Sequence, residues 1–175
     1  MDRVFARPQT SEHFDNALDY VSLVPQDGRL LRHMEDSLRQ MEAFVRVLPL
    51  YRLTVPHATG EWTVQDVLQH IADNERVFAY RMLRIARGDT TTLPGYDQEP
   101  YAVAACANDR TLDDLWDEYV SVRRASITLL RSLSDEALAR STDANGHVLT
   151  ARAAAHIIVG HEQYHLRSLR ENYGR

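Results

Sequence analysis

Apolar residues recur at three- and four-residue steps along most of this chain, a period that suits amphipathic helices and not strands. Leu30, Leu31, Met34, Leu38, Met41, Val45 and Leu48 form one such stripe, and Pro49 cannot continue it. Leu112, Leu115, Tyr119, Val122, Ser126, Leu129, Leu130 and Leu133 form another. Helices are predicted over about 11–24, 28–48 and 63–88, and from about 111 and 150 onward, the last reaching about 172. Thr63-Val64-Gln65-Asp66 reads as a capping box, Gly88 as a C-cap, and Asp113 and Asp114 suit the first turn of the fourth helix. No convincing strand run and no internal repeat stand out. The prediction is an all-α fold: a four-helix bundle with a short extra N-terminal helix and long crossover loops at 49–62 and 89–110. The turn-rich run Leu93-Pro94-Gly95-Tyr96-Asp97 is placed to cover one end of the bundle.

Several chemistries are excluded by what the chain lacks. All 20 Lys+Arg residues are arginine, which removes a Schiff-base or P-loop lysine. Cys106 is the one cysteine, so neither an intrachain disulfide nor a Cys-rich zinc cluster can form. No dinucleotide loop or GxSxG elbow is present. A net charge of −5 without a basic cluster argues against nucleic acid as a partner. No run is apolar enough for a membrane span, and the N-terminus has no signal-peptide core, so a cytoplasmic location is expected.

The histidines carry the positive signal. His161 and His165 lie four apart, so their side chains point 40° from each other on one helix face. Ala151, Ala154, Ile157, Ile158 and Leu169 share that face, while Arg152, Gln163, Arg167 and Arg170 lie opposite. His70 occupies the same kind of position among Val67, Val77, Phe78 and Ile85, with Asn74 one turn on. Buried imidazoles need partners, and either neighbouring hydrogen-bond groups or a shared metal would serve. One histidine from one helix and two from another make a three-ligand metal site with an open position, the catalytic pattern. Zinc and nickel are the expected ions.

His161-Glu162-Gln163-Tyr164-His165 also matches the HExxH motif of zinc proteases, but no further histidine follows and the chain lacks that fold's strands. Glu162 is therefore a candidate acid/base or supporting group, with a solvated or intrahelical charge as the plain alternative. Asn74, Arg81 and Arg123 are candidates for binding a cofactor or substrate, against ordinary buried hydrogen bonding or surface charge.

The run Trp62-Thr63 followed by His70-Ile71-Ala72-Asp73-Asn74-Glu75 resembles the Trp-Ser/Thr…His-Leu-x-x-x-Glu signature of the DinB-like superfamily. Gly160-His161-Glu162-Gln163-Tyr164-His165-Leu166 resembles its C-terminal His-x-x-x-His motif. The resemblance extends over about residues 28–173, the core of a single DinB-like domain spanning 1–175. It implies a four-helix bundle, a divalent metal held at His70, His161 and His165, and frequent homodimers. Apolar residues on a second face of the third helix (Leu68, Ala72, Ala79 and Leu83) point to a homodimer as well, with the short leading helix as the alternative cover.

Relatives in this superfamily include bacillithiol- and mycothiol-dependent enzymes and a metal-dependent hydrolase. The resulting expectation is transfer of a low-molecular-weight thiol to an electrophilic small molecule. Metal-dependent hydrolysis of a small substrate, and non-catalytic metal or small-molecule binding, are the alternatives.

Overall fold

A computed structural model describes residues 3–174. Its elements run α1 (Ala17–Leu23), α2 (Leu30–Val45), α3 (Leu50–Thr54), α4 (Val64–Ala86), α5 (Gln98–Ala105), α6 (Leu112–Ser132), α7 (Asp135–Ala139), β1 (Ser141–Ala144), β2 (His147–Thr150) and α8 (Ala151–Tyr173). The four long helices α2, α4, α6 and α8 are the four predicted. The starts of α4, α6 and α8 are set by side-chain caps. Thr63 and Asp66 form a reciprocal capping box, and Thr111 and Thr150 each accept a backbone N–H from the first turn.

Both α4 and α2 pack against α6 and α8, so α2 and α4 face each other diagonally. The connection through α3 is thus the expected crossover, not a hairpin. The other long connection is structured too, holding α5 and a short 3-10 turn at Ala107–Asp109. The leading segment is shorter than predicted, with a 3-10 turn at Thr10–Glu12 and then α1 lying along α8.

The fold is all-α as expected apart from one small hairpin, in a stretch where no strand run stood out: β1 and β2 pair antiparallel, with Ser141 opposite Thr150 and Ala144 opposite His147. Asn145 and Gly146 turn the hairpin at φ of 56° and 82°, the left-handed pair that a two-residue turn demands. Leu93 bridges to Ala144, with Leu93 N–H donating to Asp143 O and Asn145 N–H donating to Leu93 O, both at 2.9 Å. The stretch after α4 is thereby anchored to the hairpin.

Two apolar clusters fill the bundle. One holds Met34, Phe78, Ile127 and Val159; the other holds Met41, Ile71, Tyr119 and Leu166. Each long helix contributes to both clusters, and between its contributions lie the polar residues Ser37, Glu75, Arg123 and Glu162. These four meet in a buried polar waist. The second apolar face of α4 is covered within the chain only in its first half, Ala79 being partly buried and Leu83 exposed. Leu68 and Ala72 are buried in the cluster that holds Trp116 and Tyr119.

Candidate metal centre and its cavity

His70 on α4 and His161 and His165 on α8 converge between the two helices. The Nε2 of His161 lies 3.0 Å from that of His70 and 3.2 Å from that of His165. The three donor nitrogens lie within 4.8 Å of one another, the one such group of histidine, cysteine or acidic side chains among the described residues. His70 and His161 are each 4% exposed, and His165 is partly buried. The Trp62 ring packs on His70 at 4.7 Å between centroids, and Tyr20 meets His161 edge-on at 5.3 Å. The Tyr20 contact depends on Gly160, where a Cβ would strike the Tyr20 carbonyl oxygen, so α1 can press directly onto α8.

Burial pushes the His70 imidazole down to about 4, and burial together with neighbouring His70 pushes His165 to about 3. His161 is held well below the ordinary value by burial, then by His165 and His70. All three are neutral at pH 7. A neutral imidazole nitrogen offers either one N–H or one lone pair. His161 Nε2 faces two such nitrogens at once, so one proton would have to serve both contacts. A cation between the rings instead takes three lone pairs. Two nitrogens bound tetrahedrally to zinc stand about 3.3 Å apart, close to the separations here. The donor set fits a divalent metal.

Beside it lies the charged waist. Arg123, fully buried, donates from Nε and Nη2 to the Glu75 carboxylate at 2.8–3.0 Å, and from Nη1 to Glu162 Oε2 at 2.6 Å and Met34 O at 2.9 Å. Ser37 and Tyr119 hydroxyls also donate to Glu162. Burial disfavours the guanidinium charge, but Glu162 and Glu75 outweigh it and hold Arg123 protonated. Burial, then the Glu162 charge, pushes the Tyr119 phenol far up, so it stays a donor.

The structure separates the other sequence candidates. Asn74 and Arg81 line a cavity of about 530 Å³ together with His161. Arg123 does not reach it. An arginine flanking its helix stripe was a plausible ligand-binding group, but here two carboxylates hold it in the core. Glu162 is likewise neither a solvated charge nor a cavity residue; its carboxylate is turned to α2 and α6. Sequence reasoning missed Tyr20, Tyr96 and His147 as cavity-lining residues. Tyr96 lay in the run expected to cover the bundle, and its hydroxyl donates to Asn74 Oδ1 at 2.7 Å. Glu75, quoted only as part of a signature, is the second carboxylate of the waist.

A family model for the DinB superfamily matches residues 33–169, which include all three histidines. The chain belongs to the DinB superfamily. A Bacillus pumilus protein named "Putative metal-dependent hydrolase" is 26% identical to this DinB-superfamily chain over 167 residues, covering 93% of the chain and 86% of the relative. An Oceanobacillus iheyensis protein of the same name is 25% identical over 139 residues, covering 78% and 79%. Among solved structures, YfiT from Bacillus subtilis superposes with a TM-score of 0.76 at 19% identity, covering 97% of this chain and 94% of YfiT. It is described as a probable metal-dependent hydrolase with an unusual four-helix bundle topology. A mycothiol-dependent maleylpyruvate isomerase superposes with a TM-score of 0.67 at 14% identity, covering 85% of this chain and 62% of the isomerase. Among the described residues, no helix is long and apolar enough to cross a membrane.

Proposed function

We propose that this protein is a metal-dependent hydrolase of a small polar molecule, with a divalent cation, zinc or nickel, held by His70, His161 and His165. The observation that carries the reading is the convergence of three neutral imidazoles where His161 opens onto a cavity sized for a small molecule. A cation with three histidine ligands supplies Lewis-acid polarisation and acidifies water toward a pKa of about 7. The chain's own residues do the rest. Trp62 and Tyr20 brace two of the imidazoles by ring contact. Asn74, oriented by the Tyr96 hydroxyl, presents its amide to the cavity. Glu162 ties α8 to α2 and α6 and so acts as a positioning residue for the histidines on either side of it.

Thiol transfer would use the same centre and cavity. Hydrolysis is favoured because the relatives matched over most of their length carry hydrolase names, whereas the likeness to the mycothiol-dependent isomerase is one of fold. The test is to load the protein with zinc or nickel and supply chromogenic esters and amides, with and without glutathione, bacillithiol or mycothiol. Thiol-independent hydrolysis is expected, and it should vanish in His161→Ala. Conjugation without hydrolysis would shift the assignment to thiol transfer. Full metal occupancy with neither activity would make the protein a binder.

A further inference from the structure

We infer that the molecule bound in the cavity carries a carboxylate, received by Arg81 at a distance from the histidine centre. This names the substrate class of the hydrolase reading and rests on that reading for its catalytic meaning. Arg81 and Arg123 make a controlled comparison within one protein. Both are buried, at 6% and 0% exposure. Arg123 is met by two carboxylates; Arg81 has no carboxylate in ion-pair reach among the described residues. Its one hydrogen bond runs from Nη2 to Pro94 O at 2.7 Å, and its guanidinium lies 5.0 Å above the Phe78 ring. A guanidinium has five N–H donors. No buried side-chain nitrogen or oxygen lacks a partner among the described residues, so the unused Arg81 nitrogens open onto the cavity. N–H groups facing a cavity with no counter-charge in reach are placed to receive an anionic ligand through charge-assisted hydrogen bonds.

The chemistry of the wall narrows the anion. The planar guanidinium fork matches a carboxylate in a two-bond clamp. Phosphate dianions usually draw several cations or a helix N-terminus, whereas among the described residues Arg81 is the one arginine lining this cavity. Asp97 also lines it, but its carboxylate accepts from Glu99 N–H at 3.1 Å as a helix cap and makes no ion pair with Arg81. Phe14, Phe78 and Ile157 leave an apolar stretch for the body of the ligand.

Helix geometry supplies a ruler. Arg81 follows His70 by 11 residues on α4, which is 20° past three full turns and a rise of about 16 Å. Both side chains lean toward the helix N-terminus, arginine further because it is longer, so the guanidinium stands somewhat less than that rise from the imidazole. The ligand is therefore extended, with its carboxylate several bonds from the reacting group.

Calorimetric titration of the zinc-loaded protein tests this with straight-chain α,ω-dicarboxylates from succinate to suberate. Their monomethyl esters and the corresponding ω-phosphono acids are the controls. A longer diacid should bind roughly tenfold or more tightly than its monoester, the worth of one charge-assisted clamp. That gap should close in Arg81→Met and persist in part in Arg81→Lys, with circular dichroism confirming that both variants fold. Equal binding of diacid and monoester, or a gap that survives in Arg81→Met, would overturn the inference. Tighter binding of the phosphono acids through Arg81 would overturn the choice of carboxylate. None of these readouts needs turnover. A protein that discriminates diacids yet hydrolyses nothing refutes the hydrolase reading alone, and one that hydrolyses esters without binding diacids refutes this inference alone.

Discussion

At the scale of single residues, the deciding contrast is between charges that have partners and charges that do not. Arg123 is ion-paired with both Glu75 and Glu162 in a site with no water-facing side. Replacing it by Met keeps the volume but strands two buried carboxylates. Arg123→Met should cost on the order of 3–5 kcal/mol in urea unfolding, the range for breaking a buried pair from one side. A loss below about 1 kcal/mol would mean that the waist is not the ion-paired core described here. The neighbouring glutamate illustrates what spacing leaves open. From the helical wheel, Glu162 stands 100° from His161 and 60° from His165, compatible with a place either at the centre or away from it. The packing of α2 and α6 against α8 decides that it faces Ser37, Tyr119 and Arg123.

Between elements, the histidine centre depends on close approach. His161 is covered by Tyr20 because α1 rests on α8 at Gly160, with no side chain between them. In Gly160→Ala the added methyl meets backbone, not the end of a flexible side chain, so α1 has to move. The expected cost is about 1–3 kcal/mol of stability, the range for overpacking a close contact. Amide exchange in Ala17–Leu23 should quicken as the helix is displaced, while α4 and α6 keep their protection. Unchanged exchange in α1 would show that the contact is looser than drawn. The hairpin works in a similar way on the other side of the cavity. Its Asn145-Gly146 turn presents backbone groups to Leu93, which holds the run to Tyr96 over Asn74.

For the molecule as a whole, the buried imidazoles couple folding to pH. His70 and His156 are held at about 4 by burial, and His165 at about 3 by burial and His70, against an ordinary value of 6.5. Between those values the unfolded chain binds protons that the folded chain refuses, so stability falls as pH is lowered through that window. The metal-free protein should show a flat urea midpoint above about pH 7 and a steady decline from about pH 6.5 to about pH 4. A midpoint independent of pH across that window would contradict the burial of these rings. Added zinc at neutral pH should raise the midpoint by mass action, about 2.7 kcal/mol at a hundredfold excess over Kd, and chelator should reverse it.

Much of this architecture was legible before any coordinates, because helix formation and helix faces are local. The Leu30–Leu48 stripe, the threonine caps and the mid-stripe positions of His70, His161 and His165 each need only a few neighbouring residues to be read. The hairpin escaped notice because β1 and β2 have four residues each and no clean apolar alternation, leaving Asn145-Gly146 as the one cue. The tertiary structure alone decided which polar residues became core and which became site. Arg81 and Arg123 carry the same charge on similar helices, and no local pattern distinguishes them. Their difference lies in partners 39 and 48 residues distant from Arg123, and in the absence of any such partner around Arg81 among the described residues. Counter-charges are brought together by the packing of helices far apart in sequence, so the sequence determined the helices and the places of the three histidines on them, while their packing decided which arginine was left facing the cavity.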